Sequence, residues 1–425
     1  MPMTSTGKSR SAIPFLLVSL LFMLWGMANN MNDTLLAAFK RIMSMSDFET
    51  SLVQGAFYGS YFCFALPAAL FIRKYSYKSG ILLGLFLYAA GTMLFLPAGE
   101  AASYPAFLFA IYVMAGGCAI LETTANPYII SMGPAESSTR RLNIAQAFNP
   151  LGAIAGILIS RHFILARLHE ADAAARAGMD ASQLRAIQYE ELNAVSGTYM
   201  AIGVVLLTLL AIIFFTRMPA DHDSSGHWDF RATLSRLWRN RFYRYGVAAQ
   251  FFYVGAQTCV WSFTIRLAMD RLGILEKEAS MMFLYSILAF TAFRFLFTWL
   301  MKYIRPVYLL AGASVLAIAT CAGVLLPDPC LAISSLISVS AAMSLMFPTI
   351  YGIALDGLHG SDTKIAASGL IMAILGGAVI TPLQAAVSDC AGISVSFAVP
   401  LVCFAIILLY SIFIIRNKKT PNHTY

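Results

Sequence analysis

The chain has 425 residues, of which 59% are hydrophobic and only 12% are charged, and its mean hydropathy is +0.72. A water-soluble domain of this length needs far more polar surface, so the composition excludes a soluble protein and predicts an integral membrane protein. The net charge of +8 follows from basic residues between apolar segments, so no nucleic-acid partner is expected.

Apolar stretches long enough to cross a bilayer as helices, which takes about 20 residues, occur twelve times along the chain. The predicted spans are residues 13–39, 50–72, 79–97, 104–131, 142–166, 197–216, 243–265, 280–301, 306–326, 329–355, 364–388 and 393–415. The first stretch is too long for a signal peptide, so we expect it to remain in the mature protein. The predicted fold is an all-α membrane protein with twelve transmembrane helices.

Two connections are longer than the others. In residues 167–196, rich in Ala, Glu and Arg, we expect a short amphipathic helix on the outer surface. Residues 217–241 form a predicted linker between an N-terminal six-helix lobe, 1–216, and a C-terminal six-helix lobe, 242–425. Such a duplication of a six-helix unit is common among transporters. The halves echo each other: FNPLGAIAG in the fifth span and GGAVITPLQAA in the eleventh both join a proline to small residues.

The basic residues predict the orientation of the chain. Cytoplasmic loops are enriched in Lys and Arg, and placing both termini in the cytoplasm puts about two-thirds of the 29 basic residues inside. We therefore expect both termini to be cytoplasmic. Arg294 lies within a predicted span, where a structural or gating role is favoured over substrate contact.

Two carboxylates, Asp33 and Glu122, lie deep within predicted spans. An ionised side chain at the centre of a bilayer costs at least about 2.5–3.5 kcal/mol, and such residues commonly line a water-filled path or relay protons. Trp25, Asn29 and Asp33 are spaced i, i+4 and i+8, with Asn30 beside them, so they form one polar helix face. The pattern predicts a carrier of protons and a polar solute.

Further polar and aromatic side chains occur at similar depth in three other spans. They are Glu122 and Asn126 in the fourth span, Gln146 and Asn149 in the fifth, and Gln257 and Trp261 in the seventh. Pro150 should loosen the fifth span because it lacks a backbone donor. Carboxylates and amides bind vicinal hydroxyls and aromatic rings pack on C–H faces, so this mixture predicts a sugar site.

Each of these residues also has a purely structural explanation. Asn and Gln in spans often only hold helices together, and Trp25 and Trp261 could serve packing or an interfacial belt. Asp33 and Glu122 could each be paired with a buried cation. A functional role is favoured for the two carboxylates because the spans nearest in sequence have no Lys or Arg at similar depth.

Several runs, including FLLVSLLFMLWGMANNMNDTLL, LETTANPYI, RLNIAQAFNPLGAI and AQFFYVGAQTCVWSFTIR, resemble the fucose-galactose-glucose:proton symporter family of the major facilitator superfamily. The resemblance covers nearly the whole chain. It implies a twelve-helix, two-lobed fold with a central cavity, and uptake of a monosaccharide with a proton by alternating access. It also implies a bacterial cytoplasmic membrane, L-fucose as the first expected sugar, and a monomer.

The resemblance further implies roles for individual positions. Asp33 matches the first-span carboxylate that takes up the proton, and Glu122 matches the fourth-span carboxylate linked to sugar recognition. The remaining matches are the cavity amides Asn30, Gln146 and Asn149 and the cavity-lining positions Trp25, Gln257 and Trp261.

Two departures keep alternatives open. The loop FIRKYSYKSG lacks the acidic residue at the start of the superfamily's loop signature, and Phe347 stands where a polar aromatic is expected in fucose carriers. Glucose, galactose or N-acetylglucosamine therefore remain alternative sugars, as do sodium coupling and a non-transporting sugar sensor.

Enzymatic classes are disfavoured. The chain contains no G-x-x-x-x-G-K-[ST] loop for nucleotide binding, and its histidines lie in or near loops, with no pair within one span to hold haem or metal. We expect no catalytic residue, no cofactor and no metal.

Overall fold

A computed structural model describes residues 12–43, 47–169, 176, 178–219, 229–274 and 276–417. Regular secondary structure in these residues is helical, with no strand among them. Eleven of their helical segments are long and apolar enough to cross a membrane. The predicted all-α membrane protein is confirmed. The predicted seventh span is a continuous helix that falls outside these eleven, since amides and charges along it lower its hydropathy.

The helices follow the predicted spans, and five of the spans are each divided between two helices. Helices of the first half are α1 Ala12–Ile42, α2 Asp47–Lys74, α3 Tyr77–Met93, α4 Phe95–Glu100, α5 Tyr104–Ser131, α6 Ser138–Gln146, α7 Phe148–Ile159 and α8 Ala181–Phe215. Helices of the second half are α9 Phe230–Arg239, α10 Arg241–Leu272, α11 Glu276–Leu300, α12 Pro306–Val324, α13 Pro329–Met343, α14 Met346–Leu355, α15 Gly360–Met372, α16 Gly376–Ala391, α17 Ile393–Ser396 and α18 Ala398–Asn417. The divided spans are the third (α3–α4), fifth (α6–α7), tenth (α13–α14), eleventh (α15–α16) and twelfth (α17–α18).

The chain groups into two compact units. The first unit contains Met1–Tyr128 and Phe148–Ser224, and the second contains Ile129–Ala147 and Ser225–Tyr425. The segment 129–147, which includes α6, is thus part of the second unit although it lies in the first half of the sequence.

Glycines bring two spans of each unit into backbone contact: the first and fifth spans in the first unit, and the seventh and eleventh in the second. In the first unit, a methyl group on Gly26 would collide with the carbonyl oxygen of Asn149, and Gly152 of α7 is equally close to α1. In the second unit, a methyl group on Gly376 of α16 would collide with the carbonyl oxygen of Phe251 in α10. Small residues permit such close approach between membrane helices. The fifth and eleventh spans therefore share a packing role, which agrees with the echo between their sequences.

The connection after the fifth span folds back onto α8. Arg176 donates to both carboxylate oxygens of Glu191, at 2.9 and 2.5 Å, and the backbone N–H of His169 donates to the same group at 2.8 Å. Arg176 and Glu191 are each 1% exposed. The short separate surface helix that was predicted in this connection is not formed from residue 181 onward. These residues are instead the beginning of α8, because Asp180 caps α8 and no Gly or Pro interrupts residues 181–196 before the sixth span.

Candidate functional site

The fifth span divides next to two predicted site residues. Pro150 has no N–H, so it cannot donate to the carbonyl of Gln146 four residues earlier, and α6 ends at Gln146 while α7 begins at Phe148. Nη1 of Arg294 in α11 donates to that carbonyl at 3.2 Å. A buried cation therefore satisfies the acceptor that the proline frees.

A polar and aromatic cluster in the second unit surrounds this contact. The second-unit cluster consists of Gln146, Trp261, Phe290 and Arg294. The Phe290 ring lies between the other two side chains: its centroid is 5.2 Å from that of Trp261 and 4.9 Å from the Arg294 guanidinium carbon. Arg294 is only 3% exposed, and no described carboxylate lies within ion-pair distance of it. Its charge is thus balanced by a carbonyl dipole and an aromatic face.

Donors in this cluster can serve a ligand. The indole N–H of Trp261 and Nε of Arg294 have no hydrogen-bond partner among the described residues. Gln257, one helical turn before Trp261, is half-buried. Buried polar groups normally find partners, so these donors mark a place where a polar molecule can bind.

The first unit holds a separate cluster around a buried carboxylate. The first-unit cluster consists of Trp25 on α1, Tyr61 on α2 and Glu122 on α5. Glu122 is 2% exposed, and neither carboxylate oxygen has a hydrogen-bond partner among the described residues. Tyr61 is 1% exposed, and its hydroxyl is close enough to Trp25 and Glu122 to interact electrostatically with both. The carboxylate is therefore buried in the vicinity of Tyr61, with no described hydrogen-bond donor for either oxygen.

The predicted amides use part of their capacity within the first unit. Asn30 donates to the carbonyl of Gly26 at 3.0 Å, and Asn149 donates to that of Phe22 at 3.4 Å. Asn126 donates to the backbone carbonyl of Glu122 at 3.0 Å and is fully buried. In each of these bonds the amide NH2 is the donor.

The predicted proton-coupling residue, Asp33, lies within α1, but its side chain is outside the described part of the chain. Two cluster members were not predicted, namely Tyr61 and Phe290. Each is an aromatic residue in an apolar helix, so no polar periodicity distinguishes it from core. The only sequence feature that could have pointed to either residue is the run QGAFYGSYF around Tyr61, whose two glycines indicate close helix packing.

Each cluster, taken by itself, contains side chains of the kinds that recognise a neutral polyol. A carboxylate accepts hydrogen bonds from hydroxyl groups, amides can both donate and accept them, and aromatic faces pack against C–H surface.

Comparison with known proteins places the chain in a family. A family model described as the Major Facilitator Superfamily matches residues 15–382. The chain is 41% identical to the L-fucose-proton symporter of Haemophilus influenzae, covering 95% of this chain and 96% of that one. It is 38% identical to the L-fucose-proton symporter of Escherichia coli, covering 98% and 96%. It is 32% identical to a glucose/galactose transporter of Brucella abortus, covering 97% of each chain.

Solved structures agree with this placement. The crystal structure of FucP, a Major Facilitator Superfamily transporter in the outward conformation, has a TM-score of 0.88 at 37% identity, covering 95% of this chain and 99% of that one. The proton:xylose symporter XylE shares the fold, with a TM-score of 0.71 at 13% identity, covering 97% and 96%. With its apolar helices and these relatives, the chain belongs to the Major Facilitator Superfamily of membrane transporters.

Proposed function

We propose that this chain carries a monosaccharide, first of all L-fucose, together with a proton across the cytoplasmic membrane by alternating access. The observation that supports this most strongly is the buried Glu122 carboxylate, whose two oxygens have no described hydrogen-bond partner. The curated relatives at 41% and 38% identity are L-fucose-proton symporters. A sugar that donates hydroxyl protons to Glu122 would supply the missing partners.

We propose roles in sugar recognition for the predicted residues of each unit, taken separately. In the first unit Glu122 accepts sugar hydroxyls, and Asn30, Asn126 and Asn149 contribute amide contacts. Gln146, Gln257 and Trp261 contribute amide contacts and an aromatic face from the second unit, and Trp25 contributes an aromatic face from the first.

Asp33 is the proposed proton carrier. A poorly hydrated environment disfavours the charged form of a carboxyl group, so Asp33 takes a proton from the outer side and removes a charge before the lobes rearrange. Sugar shifts the same equilibrium only as far as it binds the occluded state more tightly than the open one. Loss of either ligand therefore stops concentrative transport.

The proposal includes a topology. The N-terminal lobe, 1–216, and the C-terminal lobe, 242–425, are joined by a cytoplasmic linker, 217–241, and both termini are cytoplasmic. The excess of basic residues in the corresponding loops supports this orientation. The transporter acts as a monomer.

A second sugar class is supported by a specific residue. Phe347 lies 6.2 Å from the Tyr253 ring and is stacked 6.4 Å from Tyr351, and it has no hydroxyl to offer a substrate. The glucose/galactose transporter of Brucella abortus is 32% identical to this chain. Because one unpaired hydroxyl contact can redirect such a site, glucose or galactose is the alternative cargo.

A sugar panel tests the proposal. L-fucose, D-galactose, D-glucose and N-acetylglucosamine are added in turn to cells making the protein, and the pH of a weakly buffered medium is recorded. We expect L-fucose to alkalinise the medium most. If only another sugar alkalinised the medium, that sugar and not L-fucose would be the substrate. Uptake that requires Na⁺ at fixed pH would mean that sodium, not the proton, is the coupling ion. Binding without uptake would indicate a sugar sensor.

A further inference from the structure

The linker helix α9 is fixed to the second unit by one face. Thr233 and Leu237 are buried, and the Arg236 guanidinium donates to both carboxylate oxygens of Asp362 at 2.7 and 2.8 Å. Thr233 also donates to Asp362, at 2.9 Å. These contacts dock α9 on the first turn of α15, so the opposite face of α9 points in a defined direction.

That opposite face combines apolar and cationic side chains. Arg231, Leu234 and Trp238 are spaced i, i+3 and i+7, which places them on one side of the helix. Leu234 is 50% exposed and Trp238 is 70% exposed. The guanidinium of Arg244 in α10 lies 5.8 Å from the Trp238 ring. Exposed Trp and Leu next to arginine are typical of a helix lying at a membrane surface.

Apart from Arg236, the arginines of this region have no negative partner among the described residues. Arg236 is paired with Asp362, but no described carboxylate lies within ion-pair distance of Arg231, Arg239, Arg241 or Arg244, which are the remaining arginines between residues 231 and 244. The carboxylate of Asp229 is used to cap the backbone N–H of residue 231.

Two of these arginines occupy an unfavourable position. Arg241 and Arg244 lie in the first turn of α10, which contains no acidic residue. The N-terminus of a helix carries partial positive charge and repels cations. A bound anion would relieve this repulsion.

The position of this face favours a lipid over a soluble anion. Asn240 alone separates α9 from α10, so the face lies at the level where the seventh span begins. Tyr245, 44% exposed, lies in the second turn of the span and packs against Phe413. Trp and Tyr concentrate at the membrane interface. A soluble anion makes no contact that would bury the exposed Leu234 side chain, whereas the acyl chains of a lipid do.

We infer that this arginine face, formed by Arg231, Leu234, Trp238, Arg239 and Arg241, binds the phosphodiester headgroup of an anionic phospholipid such as phosphatidylglycerol. The arginines hold the phosphate, while Leu234 and Trp238 enter the boundary of the acyl chains. The inference is independent of which sugar is carried, and binding of the lipid fixes the linker helix to the membrane surface.

Native mass spectrometry of the purified full-length protein, titrated with phosphatidylglycerol, tests this inference. The variant R231Q/R239Q/R241Q should bind this lipid about 100-fold more weakly, at about fivefold for each basic residue near an anionic surface. The matched control R161Q/R167Q/R185Q removes three exposed arginines from the connection between the fifth and sixth spans, and it should bind as the wild type does. The charge-preserving variant R231K/R239K/R241K should retain most of the affinity, which shows that charge rather than folding is responsible.

Three results would overturn the inference. One is equal phosphatidylglycerol binding by R231Q/R239Q/R241Q and the wild type. Another is binding of zwitterionic phosphatidylcholine as tight as that of phosphatidylglycerol. The third is competition by soluble glycerol 3-phosphate as effective as that by the lipid, which would assign the arginine face to a soluble anion.

Discussion

Replacement of Glu122 by Gln tests the sugar contact with the least disturbance of packing, because the two side chains have nearly the same shape. Hydrogen bonds to a charged group contribute about 1.5–3 kcal/mol and those to a neutral group about 0.5–1.5 kcal/mol. Both Glu122 oxygens have no described partner, so two sugar hydroxyls can bond there. The substitution should therefore cost about 2–3 kcal/mol of binding free energy in total, or about 30- to 150-fold in Kd.

Isothermal titration of L-fucose into the purified Glu122→Gln variant measures this change. The matched control is Glu190→Gln, which alters an exposed carboxylate at the start of α8 and should leave Kd unchanged. Both variants should melt near the wild-type temperature. Unchanged L-fucose affinity in a well-folded Glu122→Gln protein would remove Glu122 from the site.

Three further substitutions separate stability from transport. Arg294→Met removes a charge-assisted hydrogen bond worth about 1.5–3 kcal/mol, but it also removes the cost of burying an unpaired cation. The melting temperature should therefore shift by only a few degrees, while sugar uptake falls at least tenfold. A large drop in the melting temperature would instead mean that Arg294 has a structural role alone. Glu191→Gln leaves Arg176 buried without a carboxylate, which should destabilise the protein by about 3–5 kcal/mol, and a melting curve identical to the wild type would contradict this. Gly26→Val should abolish the monodisperse peak in size-exclusion chromatography, whereas Gly59→Val, where an added methyl meets nothing within 4 Å, should not; equal profiles would refute the close approach of α1 and α7.

The sequence was most informative where a residue type conflicted with its surroundings. A carboxylate in an apolar span is costly, so Glu122 stands out from its neighbours by residue type alone. In the fold it is buried, and neither oxygen has a hydrogen-bond partner among the described residues. Pro150 likewise predicted a weakened fifth span. The break occurs at Ala147 rather than at the proline, because the bond that a proline removes is the one to the carbonyl four residues earlier.

Other features depend on tertiary packing and had no local signal. Phe290 lies between Trp261 and Arg294, yet its sequence neighbours are those of any apolar helix. The grouping of α6 with the second unit arises from long-range contacts such as the one between Arg294 and Gln146. Polar periodicity could place amides on a helix face, but it could not show that Asn126 would bond to its own helix backbone.

Concentrative uptake of radiolabelled L-fucose into proteoliposomes, with and without an imposed pH gradient, tests proton coupling most directly. The wild type should accumulate the sugar above the external concentration only when the outside is more acidic. Asp33→Asn should still exchange L-fucose across the membrane but should not accumulate it at any gradient. Accumulation by the wild type without a difference in pH, or full pH-driven accumulation by Asp33→Asn, would contradict the assignment.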